Sequence, residues 1–147
     1  MPMLELVPTL IVDDMLATIA FYCDVLEFEL VEAQPPKEPW WARLRCGGVE
    51  IMLQMRSSLL EEYPFYRDVP LGGTFDLYIE MDHVDEYYER VKARITPYFA
   101  LADEPYGMRE FTVRDCNGYV VAFGERIESL TALRGTEATE ADQHCTD

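Results

Sequence analysis

Ile11-Val12-Asp13-Asp14-Met15, followed by Phe21-Tyr22, returns 69 residues later as Glu80-Met81-Asp82-His83-Val84, followed by Arg90-Val91. Gly48-Val49-Glu50-Ile51-Met52-Leu53 likewise returns as Gly118-Tyr119-Val120-Val121-Ala122-Phe123 at an offset of 70. A strand, a helix and further strands are therefore encoded twice. Neither copy can bury its hydrophobic face alone, so the two are expected to share a sheet and a cavity, and function is expected in that cavity.

Working outward from the repeat, Leu4 to Val12 reads as a strand. Asp13-Asp14 caps a helix from about Met15 to Leu26, with Leu16, Ile19, Ala20, Tyr22, Val25 and Leu26 forming its apolar stripe. Glu27 to Glu32 resumes strand alternation. The prolines between Gln34 and Pro39 then remove donors and fix the backbone, which predicts a loop. Trp40 to Cys46 and Val49 to Met55 are strands around a Gly47-Gly48 turn. Arg56 to Gly73 reads as a long connection, and loops of that length often serve as lids or crossovers. The second copy opens with a strand over Thr74 to Met81 and a helix over Asp82 to Ile95 capped by Asp82 or Asp85. A short strand over Thr96 to Leu101, a strand over Met108 to Arg114 and a last strand over Tyr119 to Glu125 complete it. The domain is expected to occupy residues 1–129, with units over about 3–56 and 74–126, and residues 130–147 read as a flexible acidic tail.

The chain has 147 residues, enough for one domain with a real core. Its 28 acidic against 12 basic residues give a net charge of -16, of which the residues from Arg126 onward supply only -3. A field of that sign repels phosphates and anionic lipid and attracts cations, so nucleic acid and membrane are not expected partners. No apolar run approaches the length of a membrane span, and the chain starts at Met1 without a secretory leader, so a cytoplasmic location is expected. The cysteines Cys23, Cys46, Cys116 and Cys145 form no C-x-x-C pair and read as reduced thiols.

Several stretches together carry a family resemblance. They are Val7-Pro8-Thr9-Leu10-Ile11-Val12-Asp13-Asp14, Ala20-Phe21-Tyr22, Val25-Leu26-Glu27-Phe28, Gly47-Gly48-Val49-Glu50-Ile51-Met52-Leu53, Gly107-Met108-Arg109-Glu110-Phe111 and Asp115-Cys116-Asn117-Gly118. In order and spacing the region from Met3 to Glu125 resembles the glyoxalase, bleomycin resistance protein and extradiol dioxygenase (vicinal oxygen chelate) superfamily. The resemblance implies an α+β fold of two tandem β-α-β-β-β units forming a curved, cup-shaped mixed sheet with the helices outside, and a homodimer. Enzymes of that family hold a divalent metal in the cup, at positions that fall here on Val7, Met52, Asp76 and Ala122. Three of these four have no donor, and one carboxylate leaves a divalent ion essentially aqueous. No metal and no cofactor are expected, and the resemblance points to the metal-free branch that includes bleomycin resistance proteins.

Strand alternation gives the lining independently. Leu10, Val12, Ile51, Leu53, Leu77, Ile79, Val121 and Phe123 pack under the helices. Val7, Thr9, Ile11, Glu50, Met52, Gln54, Asp76, Tyr78, Glu80, Val120 and Ala122 then face the cavity. Carboxylates among apolar side chains are costly to bury unpaired, so water or a cationic ligand should reach Glu50 and Glu80. One of Trp40 and Trp41 supplies a flat aromatic face, since neighbours on a strand point apart. Tyr63, Phe65 and Tyr66 in the connection, with Tyr98 and Tyr106 near strand ends, either close over a ligand or form a subunit contact. Arg43, Arg45, Arg109 and Arg114 should pair with the excess acid.

The expected function is sequestration of a cationic, partly aromatic small molecule in an acidic, aromatic groove. Its expected contacts are Thr9, Trp40, Trp41, Glu50, Met52, Gln54, Asp76, Tyr78, Glu80 and Ala122. The alternatives are a metal-dependent lyase, dioxygenase or transferase of the same superfamily, and a metal-free enzyme with Asp76 or Glu80 as acid or base and Tyr78 as hydrogen-bond donor.

Overall fold

The computed structural model of the protein describes residues 1–128. The expected acidic tail lies outside them. The first copy runs β1 (Thr9–Val12), α1 (Met15–Ala20), β2 (Glu29–Gln34), β3 (Trp41–Cys46) and β4 (Val49–Met55). The second runs β5 (Asp76–Glu80), α3 (Val84–Val91), β6 (Pro97–Asp103), β7 (Met108–Arg114) and β8 (Val120–Arg126). Each copy makes its own four-stranded sheet rather than a share of one continuous sheet, in the orders β1-β4-β3-β2 and β5-β8-β7-β6. The identical order is the duplication written in hydrogen bonds. β1 is parallel to β4, while β3 is antiparallel to β4 and to β2, so the first sheet is mixed and the class is α+β. Among the described residues no helix is long and apolar enough to cross a membrane.

The chain divides into two compact units, Met1–Phe75 with Arg114–Val120, and Asp76–Val113 with the described part of Val121–Asp147. In the first unit Leu10, Val12, Ala42, Leu44, Ile51 and Leu53 are buried on one face of the sheet, under Met15, Thr18, Tyr22 and Leu26. Asp14 caps α1 by accepting from the Ala17 N–H at 3.0 Å. Beyond Ala20 the helix widens into one π turn, Phe21–Val25, closed by the Leu26 N–H donating to the Phe21 carbonyl. The turn at Asp115 packs onto this helix: Tyr22 Oη donates to Asp115 Oδ2 at 2.7 Å, and Asn117 Nδ2 donates to Thr18 Oγ1 at 3.0 Å. Tyr119 Oη accepts from the Ile11 N–H and donates to the Ile11 carbonyl, at 3.2 and 2.9 Å, tying the same turn to β1.

In the second unit Val84, Tyr87 and Val91 face a core of Phe111, Val113, Val121 and Phe123, in which the Phe111 and Phe123 rings stack at 5.1 Å. Leu77 and Ile79, expected under the helices, are half-buried.

Several expectations need correction. The strand expected from Leu4 starts only at Thr9: Pro8 accepts the Met52 N–H at 2.9 Å but has no N–H to donate, and Met3, Leu4 and Leu6 stand exposed. Leu16 is 62% exposed, and Met15 takes the buried position instead. The strand expected from Glu27 begins at Glu29, since Glu27 turns at φ 64° and breaks the extended backbone. The connection read as a loop holds α2 (Arg56–Glu62) and a 3-10 turn, Pro64–Tyr66. Neither Asp82 nor Asp85 caps α3: His83 is the cap residue, in a left-handed conformation, and the side chain of Glu125 takes the Val84 N–H at 3.0 Å.

Candidate functional site

The first sheet has a second face, away from α1. Backbone partners on neighbouring strands project their side chains to the same side. Three rows cross this face: Ile11, Gln54, Trp41 and Gln34; then Thr9, Met52, Arg43 and Glu32; then Glu50, Arg45 and Glu29. Thr9, Met52, Gln54, Glu50 and Trp41 are therefore brought together as expected from alternation. Trp40 is not among them.

α2 turns this flat face into a cavity. Gln54 is only 8% exposed because α2 covers it, and its Nε2 donates to Ser58 Oγ at 3.1 Å and to Glu62 Oε1 at 3.4 Å. The result is a cavity of about 320 Å³ with Thr9, Ile11 and Gln54 as floor and Leu59, Glu62, Tyr63 and Tyr66 as wall. Arg56 fixes the wall in place: its Nε donates to Asp13 at 2.9 Å and its Nη1 to the carbonyls of Val69 and Tyr66 at 2.8 and 3.3 Å. Tyr63 and Tyr66 meet edge to face at 6.3 Å, and the Phe65 ring lies 4.5 Å from that of Tyr66, tilted by 34°. Of the two roles open to these rings, Tyr63 and Tyr66 line a ligand-sized space.

The carboxylates on this face are less free than their number suggests. Glu50 faces Arg45 Nε at 2.9 Å and Arg43 Nε at 3.3 Å, the latter out of hydrogen-bond alignment, and Glu5 approaches Arg43 at 3.7 Å. Glu50 is thus neutralised by protein rather than held open for a ligand, because a carboxylate with each oxygen facing a guanidinium group costs less to bury than an unpaired one. Glu62 is the carboxylate that borders the cavity.

The remaining expected residues belong to the second unit. Asp76 is exposed at the start of β5, Glu80 is paired with Arg126 at 2.7 Å, and Ala122 is 6% exposed. Tyr78 Oη donates to Glu110 Oε2 at 2.8 Å, and Tyr106 Oη donates to the other oxygen of the same carboxylate. Burial and the Glu110 bond raise the Tyr78 pKa, and the hydrogen bond to Glu110 pushes Tyr106 up to about 12. Tyr78 has room to cross because Gly124 carries no side chain; a Cβ there would collide with the phenol oxygen. The metal-free acid-base reading required Tyr78 as a free donor beside Asp76 or Glu80, and its proton is engaged by Glu110 instead.

The four positions that hold a metal in related enzymes do not fit one here. Met52 lies next to Thr9, Ala122 has no donor, and among the described residues no three His, Cys, Asp or Glu side chains converge.

Sequence reasoning missed Leu59, Glu62 and Glu110. For the first two a signal was present, since Arg56-Ser57-Ser58-Leu59-Leu60-Glu61-Glu62 lacks any helix breaker. The pairing of Glu110 with two phenols depends on strand register across a turn, which one sequence does not reveal.

A duplicated β-α-β-β-β chain with an open, cavity-bearing sheet face matches the model of the Glyoxalase/Bleomycin resistance protein/Dioxygenase superfamily over residues 6–123, and the protein belongs to that superfamily. A bleomycin resistance protein of Geobacillus stearothermophilus is 32% identical over 136 residues, which is 86% of this chain and all of that protein. Among solved structures, a glyoxalase/bleomycin resistance protein/dioxygenase from Nocardioides superposes with a TM-score of 0.70 at 24% identity, over 87% of each chain. The bleomycin-binding protein of bleomycin-producing Streptomyces verticillus, complexed with copper(II)-bleomycin, superposes with a TM-score of 0.60 at 24% identity, over 84% of this chain and 96% of that one. At these identities the structures attest the fold.

Proposed function

We propose that the protein binds and sequesters a cationic, partly aromatic small molecule of the bleomycin type, without metal and without covalent chemistry. The cavity under α2 carries this reading: a ligand-sized space with a sheet floor, two tyrosine rings and one carboxylate in its wall. Rings accept planar or cationic groups by stacking, Glu62 supplies the opposite charge, and Gln54, whose amide N–H groups are taken by Ser58 and Glu62, offers its carbonyl oxygen as an acceptor. The relatives named bleomycin resistance proteins support the ligand class. Thr9, Gln54, Trp41 and Met52 are the contacts from the first unit, while Glu50 acts through its arginines as a structural pair. Asp76, Tyr78, Glu80 and Ala122 are proposed as contacts of a ligand on the second unit's own sheet. The net charge of -16 favours encounter with a cation over an anion.

The protein is further proposed to act as a cytoplasmic homodimer. Exposed Tyr98 and Phe99 on the edge strand β6, and Leu30 and Val31 on the edge strand β2, favour association, and Cys23, Cys46 and Cys116 are free thiols suited to a reducing compartment. Calorimetric titration with metal-free bleomycin tests the binding reading. Saturable binding without turnover of the drug supports it, and stoichiometric retention of Zn, Ni, Mn or Fe(II) after desalting would count against the metal-free part.

A further inference from the structure

Trp40 stands just before β3, next to Trp41, and is 48% exposed. A cavity of about 390 Å³ lies on one side of it, walled by Met15, Leu16, Pro39 and Met55 and rimmed by Asp13, Asp14 and Glu38. A second cavity, of about 510 Å³, is lined by Trp40, Ser57, Ser58, Glu61 and Glu62. Trp40 and Ser57 border both of these cavities, and Glu62 borders both the second one and the 320 Å³ cavity over Gln54. The three spaces are therefore neighbours around α2, with Trp40 between the two that lie farther from Gln54.

We propose that Trp40 anchors an outer subsite that takes an organic cation, the charged arm of an extended ligand whose body lies in the Gln54 cavity. The proposal rests on the binding reading above and adds where the charge goes. Asp13 is already paired with Arg56 and Asp14 caps α1, but Glu38 and Glu61 make no ion pair among the described residues. One of these carboxylates borders each cavity beside the indole. An anion is repelled by this set, and a neutral ring leaves the carboxylates unused. A small hydrated cation gains nothing from Met15, Leu16 and Met55. A cation bearing apolar substituents satisfies the ring, the carboxylates and the apolar wall together.

The chain has two tryptophans, so Trp41→Phe leaves Trp40 as the sole reporter. Titrating that variant with benzyltrimethylammonium should change Trp40 emission saturably, and Glu38→Gln combined with Glu61→Gln should weaken the response about fivefold or more. Both carboxylates are on the surface, so these changes leave the fold intact. A response that never saturates, or that is the same without the two carboxylates, overturns the subsite. In a second arm, Trp40→Ala should weaken binding of bleomycin about tenfold and leave bleomycinic acid, which lacks the cationic terminal arm, unchanged. Equal losses for both compounds overturn the placement of the arm at Trp40. If bleomycin fails to bind the unaltered chain, the binding reading falls, while the benzyltrimethylammonium titration still decides the subsite.

Discussion

Tyr22 donates its hydroxyl to Asp115 across 93 residues of sequence, at 2.7 Å, with both side chains buried. The other oxygen of Asp115 accepts from the backbone N–H groups of Asn117 and Tyr119, each at 2.9 Å, so this one carboxylate organises the whole turn against α1. Removing the phenol oxygen leaves a buried carboxylate oxygen without its partner.

Tyr22→Phe should destabilise the fold by about 1–3 kcal/mol, the cost of orphaning a buried charged acceptor. Urea unfolding monitored by circular dichroism measures it. A loss well under this range would mean that water replaces the phenol.

The same pair sets an alkaline limit. Burial, with Asp115 next, raises the Tyr22 pKa far above the ordinary phenol value of 10.0. In the unfolded chain Tyr22 ionises near pH 10 while the folded chain resists ionisation, so the folded state binds more protons and stability falls as pH rises above about 10. Below that pH the contribution is complete. The slope of stability against pH between about 10 and 12 should be shallower in Tyr22→Phe than in the unaltered protein. Equal slopes would assign the loss to other groups.

Gly124→Ala should cost about 1–3 kcal/mol, because the new methyl drives Tyr78 off Glu110 and crowds Met108 Cε at 3.2 Å. In a Tyr78→Ala background most of that cost should vanish. A double-mutant cycle by thermal unfolding reads the coupling, and additive effects would show that Tyr78 does not occupy the space over Gly124.

Glu125, 1% exposed, spends one oxygen on the Val84 N–H, and the other has no partner. Glu125→Ala should lower stability by about 0.5–2 kcal/mol through loss of the α3 cap, with Glu125→Gln milder because it keeps a carbonyl acceptor. Thermal melts of the two variants rank them, and the reverse order would refute the capping role.

The duplication, α1, α3 and the strand faces were legible because apolar periodicity is local. Leu10, Val12, Ile51 and Leu53 needed only alternation to be placed in the core, and their burial is complete or nearly so. The site was legible in part. Thr9, Met52 and Gln54 follow from the same alternation, and the split between Trp40 and Trp41 follows from neighbours pointing apart. Neutralisation of Glu50 by Arg43 and Arg45 depends on which strands are neighbours, and the capping of α3 by Glu125 spans 41 residues. Neither leaves a mark within a short window. α2 was hidden differently, since Tyr63-Pro64-Phe65-Tyr66 and Gly72-Gly73 gave the entire connection the look of a loop.

The proposed binding of a cationic drug rests on Glu62 and the wall it belongs to. Isothermal titration of metal-free bleomycin into the unaltered chain and into Glu62→Gln is the decisive measurement. Saturable binding is expected, weakened about tenfold, ~1.4 kcal/mol, in the variant. No saturable binding to the unaltered chain, or equal affinity in both proteins, would contradict it.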